Sequence, residues 1–488
     1  MEFKMELKMM KFLGGIRDRV APIGFLVKFQ KSIWYPMLFA VLAFISGTHN
    51  NSYYIPIMWV LCAFVIFSAL FTDDNKVFFA PLFIMYMAVG FDNPASSFKS
   101  SNGDMLSAFD ENAFKKLIIC AAVAVGAFVL RMIFDGSVVA AFKKKRAFTV
   151  SVLALDAAFL LNGAFKPEYN INDLMYGAIM AGGLTVTYFL IGGMVERSRD
   201  TLKYACVSAV CSAYTALAQT LLVCLRNYKE GTFIYEGYDL IIRDNLCLGW
   251  GVTTVVSAMM VIGIPAAFYL ADNCKFSFVP FFSAIFFVVG AFILDTRSAI
   301  IVGIAALVYS MAVVCFKGKK KSIYIVYSWI VVVAFSCVAV YLAIRPEILS
   351  DDLKRILDTL LKSHKGDSGR VRLWKDGIAD FKLAPVFGIG FSDGGYAQPT
   401  NNVFSNMYHC IGIEFLGAMG VFGCLAFLLH IFELLKVFFK KFSLDKMFLM
   451  MIPAMIIGMS IVDNFFFYFN FQIFYGAFLV LAEKKMEE

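Results

Sequence analysis

Long apolar runs separated by short polar breaks dominate the chain, and each run has about the length of a helix that crosses a bilayer, roughly 20 residues. They predict spans near 32–48, 54–71, 77–91, 117–134, 148–165, 175–195, 204–225, 248–270, 276–294, 298–315, 323–343, 410–431, 447–463 and 465–482. The run from Val77 to Phe91 is short and the last two are joined only by Asp463-Asn464, so the expected number is twelve to fourteen. A transmembrane barrel is excluded, because its strands alternate apolar with polar every second residue. The expected fold is an all-α polytopic integral membrane protein with one long, partly helical loop. Residues 1–31 form a basic N-terminal segment, 32–343 the first eleven spans, 344–409 the loop, and 410–488 the last three spans and a short tail.

Composition agrees. Of 488 residues, 60% are hydrophobic and 16% charged, and the mean hydropathy is +0.74. These values exclude a soluble enzyme, a disordered regulator and a secreted disulfide scaffold. Cysteines such as Cys62, Cys120, Cys206, Cys211, Cys224 and Cys337 sit in apolar segments, with no CxxC pair and no Cys/His cluster at metal-ligand spacing, and read as small core residues. The N-terminus lacks the short apolar core and small-residue cleavage site of a signal peptide.

Charge supplies orientation. Lysine and arginine accumulate in cytoplasmic loops, and the basic clusters fall on one side of the predicted spans: Lys4 to Lys31, Lys143 to Arg146, Arg197 with Arg199 and Lys203, Lys317 to Lys321, and Lys436 with Lys440-Lys441. Both termini are therefore expected in the cytoplasm and the 344–409 loop outside it. The net charge of +8 is accounted for by orientation and by anionic lipid headgroups, with no nucleic acid required.

Within the loop, Leu353, Ile356, Leu357, Leu360 and Leu361 recur at helical spacing, predicting an amphipathic helix on the membrane surface. A second helix is predicted from Arg370 through Arg372, Trp374, Ile378 and Phe381, with Asp367 and Ser368 as capping residues and Pro385 with the following glycines as its end. Arg297 at the outer end of one span and His409 at the outer start of another fall on the same side. Arginine offers a planar fork of donors suited to phosphate, and histidine can exchange a proton near neutral pH. The set suits a diphosphate-bearing substrate. Arg243, before Gly249-Trp250-Gly251, is a further residue that could touch sugar or carrier.

Three segments carry a resemblance to the bacterial O-antigen ligase and polymerase superfamily of membrane glycosyltransferases. Thr296-Arg297-Ser298-Ala299 resembles the family's Ser-Arg-Ser-Ala element. Arg370-Val371-Arg372-Leu373-Trp374 with Pro385 and Gly388-Ile389-Gly390 is similar to its Arg-x-x-x-Trp helix and Pro-x-x-Gly-x-Gly turn. His409-Cys410-Ile411-Gly412-Ile413-Glu414-Phe415-Leu416, closing on Gly420-Val421-Phe422-Gly423, is similar to its His-Asn-x-x-Ile-Glu-x-Leu segment. Cys410 stands where the family has asparagine, and an alternative alignment places Asn401-Asn402 on the His-Asn pair.

The resemblance implies transfer of a glycan from undecaprenyl diphosphate to an acceptor hydroxyl on the outer face of the cytoplasmic membrane. On that reading Arg297 and Arg370 bind the diphosphate, Arg372 is secondary, His409 activates the acceptor, and Glu414 and Trp374 support them, with no metal or other cofactor. Polymerisation of repeat units is favoured over ligation of a finished glycan to a lipid or protein. A lipid-linked glycan flippase is the alternative of another class, although charge near mid-membrane is sparse, Asp156 being the clearest exception. His49, His364 and His430 read as structural.

Overall fold

The computed structural model describes residues 21–48, 54–88, 111–134, 139–140, 146–166, 169–229, 248, 250–294, 296–344, 370–392, 408–440 and 443–483. Each of the fourteen predicted apolar runs carries a helix. In chain order they are α1 (Ala21–Gln30), α2 (Trp34–Thr48), α3 (Tyr54–Phe71), α4 (Phe79–Ile84, flanked by 3-10 turns), α5 (Glu111–Phe134), α6 (Thr149–Leu160), α7 (Ile171–Thr185, continued by a π turn) and α8 (Arg199–Lys229). There follow α9 (Thr253–Asn273), α10 (Phe278–Ile293), α11 (Arg297–Lys317), α12 (Lys321–Ile344), α13 (Arg370–Leu383), α14 (Ile411–Phe439), α15 (Leu444–Ser460) and α16 (Phe469–Glu483). Among the described residues six are long and apolar enough to cross a membrane, or seven if α1 and α2, bent by 81°, form one span; others are shorter apolar helices. The protein is thus an all-α, multi-pass membrane protein. The predicted 353–361 helix, Arg243 and Asn401-Asn402 lie outside the described residues.

Polar contacts sort the helix ends into two groups. At one end Lys76 pairs with Asp74 and Asp200, the Ala147 amide donates to Glu483, and the Lys319 amide donates to Asp272 at 2.7 Å. At the other end Thr296 meets Thr253 and Ser257, His409 meets Asp463, and Asn162 and Asp173 meet residues 391–392. Helix ends thus alternate between the two groups. The grouping makes α9 and α11 parallel, since their starts share one end and their C-terminal ends the other.

Lipid tails are as apolar as leucine, so helices associate here through close packing and hydrogen bonds rather than through water exclusion. The central post is α9, 94% buried over its span. Small residues let neighbours approach it: Gly263 lies against Ala213 and Phe287, and Gly303 of α11 against Val261. Cys62, Cys206 and Cys211 are buried as expected, whereas Cys337 is exposed; it belongs to the C-terminal half of α12, whose described faces point outward on every side. His430 keeps its structural reading, its ring nitrogens bonded to Ser151 and Tyr475 at 2.8 and 2.6 Å.

The feature that organises the site is a break in α14. Gly420 leaves helical geometry at φ 64° and ψ −158°. A continuous helix would bond the amides of Val421 and Phe422 to the carbonyls of Gly417 and Ala418. Instead those amides donate to the carbonyls of Pro385 and Val386 at 2.8 and 3.1 Å, and the Gly417 and Ala418 carbonyls accept from the amides of Ile389 and Gly390 at 3.0 Å each. Backbone groups buried from water must find partners within the protein, and the turn after α13 supplies all four.

Gly388 (φ 69°) meets this junction so closely that a Cβ there would lie 2.2 Å from the Ala418 carbonyl carbon, whereas a Cβ on Gly182 in α7 meets nothing within 4 Å. Gly388→Ala combines left-handed strain with overlap and should lower stability by about 2 kcal/mol or more. Gly182→Ala should be neutral or gain up to about 1 kcal/mol. Thermal unfolding of the purified variants in detergent measures the contrast.

Candidate active site

The docked turn is gripped from its far side by the α6–α7 hairpin. Fully buried Asp173 accepts the main-chain and hydroxyl hydrogens of Ser392 at 2.7 Å each on one oxygen and the ammonium of Lys166 on the other. Lys166 also donates to the Ile389 carbonyl at 2.9 Å. Asn162 accepts the Phe391 amide at 3.0 Å and donates to the Asp173 carbonyl at 2.8 Å. The Lys166 side chain is 7% exposed, so pairing and hydrogen bonds must offset the desolvation of its ammonium.

His409 sits where the chain enters α14. Its φ of 53° is uncommon outside glycine, and such backbone persists where surrounding contacts over-determine it. Those contacts are visible. The Tyr408 amide donates to Glu414 Oε2 at 2.9 Å, and Asn464 Nδ2 donates to the same oxygen at 3.1 Å. The Tyr408 hydroxyl donates to Asp380 of α13 at 2.7 Å, with its ring between Gly377 and Gly417, where either Cβ would overlap it. Burial, reinforced by the neighbouring Asp380, pushes the Tyr408 phenol up, so it remains a donor; burial likewise raises Asp380.

His409 Nδ1 lies 3.1 Å from Asp463 Oδ1, with the imidazole 34% exposed and the carboxylate 5%. The same oxygen accepts the Asn464 amide. A carboxylate partner favours the tautomer with hydrogen on Nδ1, leaving the Nε2 lone pair to accept a proton. Glu414 does not orient the imidazole; it holds the Tyr408 backbone and Asn464, and Asp463 takes the orienting position. The reason is the break between α15 and α16, which folds Asp463-Asn464 onto the start of α14.

The arginines occupy the same end of the bundle. Arg297 is the exposed first residue of α11, and buried Thr296 beside it is tied to Ser257 at 2.9 Å. Five residues on, Val302 contacts Gly458 of α15, whose chain leads to Asp463 five residues later. Arg370 is the half-buried first residue of α13. Because Gly377 lies against Ile413 and Tyr408, and Pro385 against Gly420, α13 runs parallel to the start of α14. Arg370 is therefore roughly 10 Å farther out than the Tyr408 contact. Arg372 is 80% exposed and faces Asp376 at 3.9 Å, and Trp374 is half-buried beneath Arg370. Among the described residues no hydrogen bond or ion pair joins Arg297, Arg370 or Arg372 to His409 or to one another.

Residues 282–428 match a family model described as O-antigen ligase, so the resemblance read from the motifs holds over that segment. The protein is a multi-pass membrane protein carrying an O-antigen ligase-type domain. The match covers Arg297, Arg370, Arg372, Trp374, His409 and Glu414; Asp463 and the Asn162, Lys166 and Asp173 clamp lie outside it. No curated protein and no solved structure matches the chain.

Removing one partner of a buried ion pair leaves an uncompensated charge. Lys166→Met should therefore cost about 3 kcal/mol, and Lys166→Met with Asp173→Asn should recover part of it, since asparagine still accepts from Ser392. Thermal midpoints of the two variants provide the comparison.

Proposed function

We propose that the protein is a glycosyltransferase that polymerises undecaprenyl-diphosphate-linked repeat units into a surface polysaccharide at the outer face of the cytoplasmic membrane. The observation that carries this reading is a part-exposed imidazole oriented by a buried carboxylate, at the bundle end that also holds Arg297 and Arg370. The distribution of basic residues puts that end outside and both termini inside.

In the reaction the acceptor hydroxyl oxygen attacks the anomeric carbon, and its proton passes to His409 Nε2. The bond from the anomeric carbon to the phosphate oxygen breaks, and its electron pair leaves on undecaprenyl diphosphate. Fixed guanidinium groups at Arg297 and Arg370, with Arg372 in a secondary role, lower the cost of the charge that accumulates there. Asp463 stabilises the imidazolium as it forms. Arginines in this role neutralise the leaving group without a metal, so a chelator should leave the rate unchanged. The same groups would serve ligation of a finished glycan to a separate lipid or protein acceptor; the product distinguishes the two.

Reconstituted protein offered a lipid-linked repeat unit should yield longer lipid-linked chains. His409→Ala should lower the rate by about 10² or more, the usual scale of general-base catalysis. Arg370→Lys should lower it about tenfold, because a point charge cannot reproduce the bidentate fork. Relocation of the lipid across the bilayer without elongation would make the protein a flippase, and elongation untouched by both substitutions would remove these residues from the reaction.

A further inference from the structure

The tight turn before α9 has no role in the reading above, yet its aromatic residue is unusually constrained. Leu248 and Gly251 exchange both main-chain hydrogen bonds, at 2.9 and 3.1 Å, and Trp250 sits inside the turn they close. Its indole Nε1 donates to Gln219 Oε1 at 2.7 Å. Gln219 is itself fixed, donating to the carbonyls of Ala43 and Met87 at 3.0 and 3.1 Å. Tyr86 meets the indole edge-to-face, with centroids 5.5 Å apart and planes at 83°. Three separate chain segments thus hold one half-buried ring.

A tryptophan that anchors a helix in the membrane interface turns its N–H toward headgroups and water. Trp250 turns its N–H inward, onto a glutamine. The polar handle is used up within the protein, so what the indole can still offer a ligand is its π face. That face, negative at its centre, suits the array of partly positive C–H groups on one side of a pyranose ring.

Position supplies the second half of the argument. Trp250 is three residues before Thr253, whose carbonyl accepts from Thr296 Oγ1 at 3.4 Å, and Thr296 immediately precedes Arg297. The indole and the Arg297 guanidinium therefore start from adjoining helix ends. In a lipid-linked donor the diphosphate and its first sugar are joined by a single bond, so a ligand held at Arg297 brings that sugar to the neighbourhood of Trp250.

We infer that Trp250, braced by Tyr86 and Gln219, is the stacking platform for the sugar ring attached directly to the donor diphosphate. The inference rests on the diphosphate role of Arg297. Equilibrium binding of the full-length protein in detergent to undecaprenyl diphosphate and to undecaprenyl diphosphate bearing one sugar tests it. Trp250→Leu should weaken binding of the sugar-bearing lipid about tenfold and leave the sugar-free lipid unchanged, and Trp250→Phe should retain most of the affinity. Arg297→Ala should weaken both ligands alike. Equal loss of both ligands in Trp250→Leu, or loss of neither, overturns the platform. Indifference of both ligands to Arg297→Ala overturns the diphosphate role instead. Should Trp250→Leu not fold, the indole fluorescence present in wild type and absent from Trp250→Phe gives an independent reading. It should change on adding the sugar-bearing lipid and not the sugar-free one, and no difference between the two refutes the platform.

Discussion

A membrane helix satisfies its own backbone, and the end of this protein that carries His409 is built on one place where a helix fails to do so. At Gly420 the ladder of α14 opens, and the two amides and two carbonyls it releases are taken by Pro385, Val386, Ile389 and Gly390. Four hydrogen bonds then fix the turn after α13 to α14 in one register, because each backbone group left unpaired away from water would cost several kcal/mol. Gly388 and Gly390 supply the positive φ and the absence of a side chain that so close an approach requires.

From that junction order spreads to the site. The fixed turn sets the position of α13, which carries Arg370 at one end and presents Asp380 to Tyr408. Tyr408, held between two glycines and by Glu414, dictates the backbone at His409. The turn between α15 and α16 then brings Asp463 against the imidazole. On the other flank, the α6–α7 hairpin closes over residues 389–392 with a buried ion pair and an amide. The N-terminal half of the chain is thus part of the scaffold of a site whose motifs all lie in the C-terminal half.

The helices were legible because long apolar runs are the strongest signal a sequence carries: each apolar run became a helix. The helix beginning at Arg370 and the turn at Pro385 were legible for the same local reasons, a capping stretch, a 3.6-residue pattern and a cluster of glycines. What escaped was long-range pairing. Asp463 and Asn464 stood out only as a polar break between two apolar runs, and nothing local shows that the break folds onto the start of α14. Lys166 and Asp173 carry no local mark in the sequence, because a buried ion pair differs from a solvated one by its neighbours and not by its spacing. Glu414 was legible only as a supporting residue of the same segment; that it holds the Tyr408 amide and Asn464 while Asp463 meets the imidazole depends on how the turn between α15 and α16 packs.

The measurement that bears most directly on the account is a structure of the protein with an undecaprenyl-diphosphate-linked sugar bound. The diphosphate is expected between Arg297 and Arg370 at the end of the bundle where α14 begins, with the anomeric carbon facing Nε2 of His409. Phosphates found at the opposite end of the bundle, or a sugar with His409 out of reach, would contradict it.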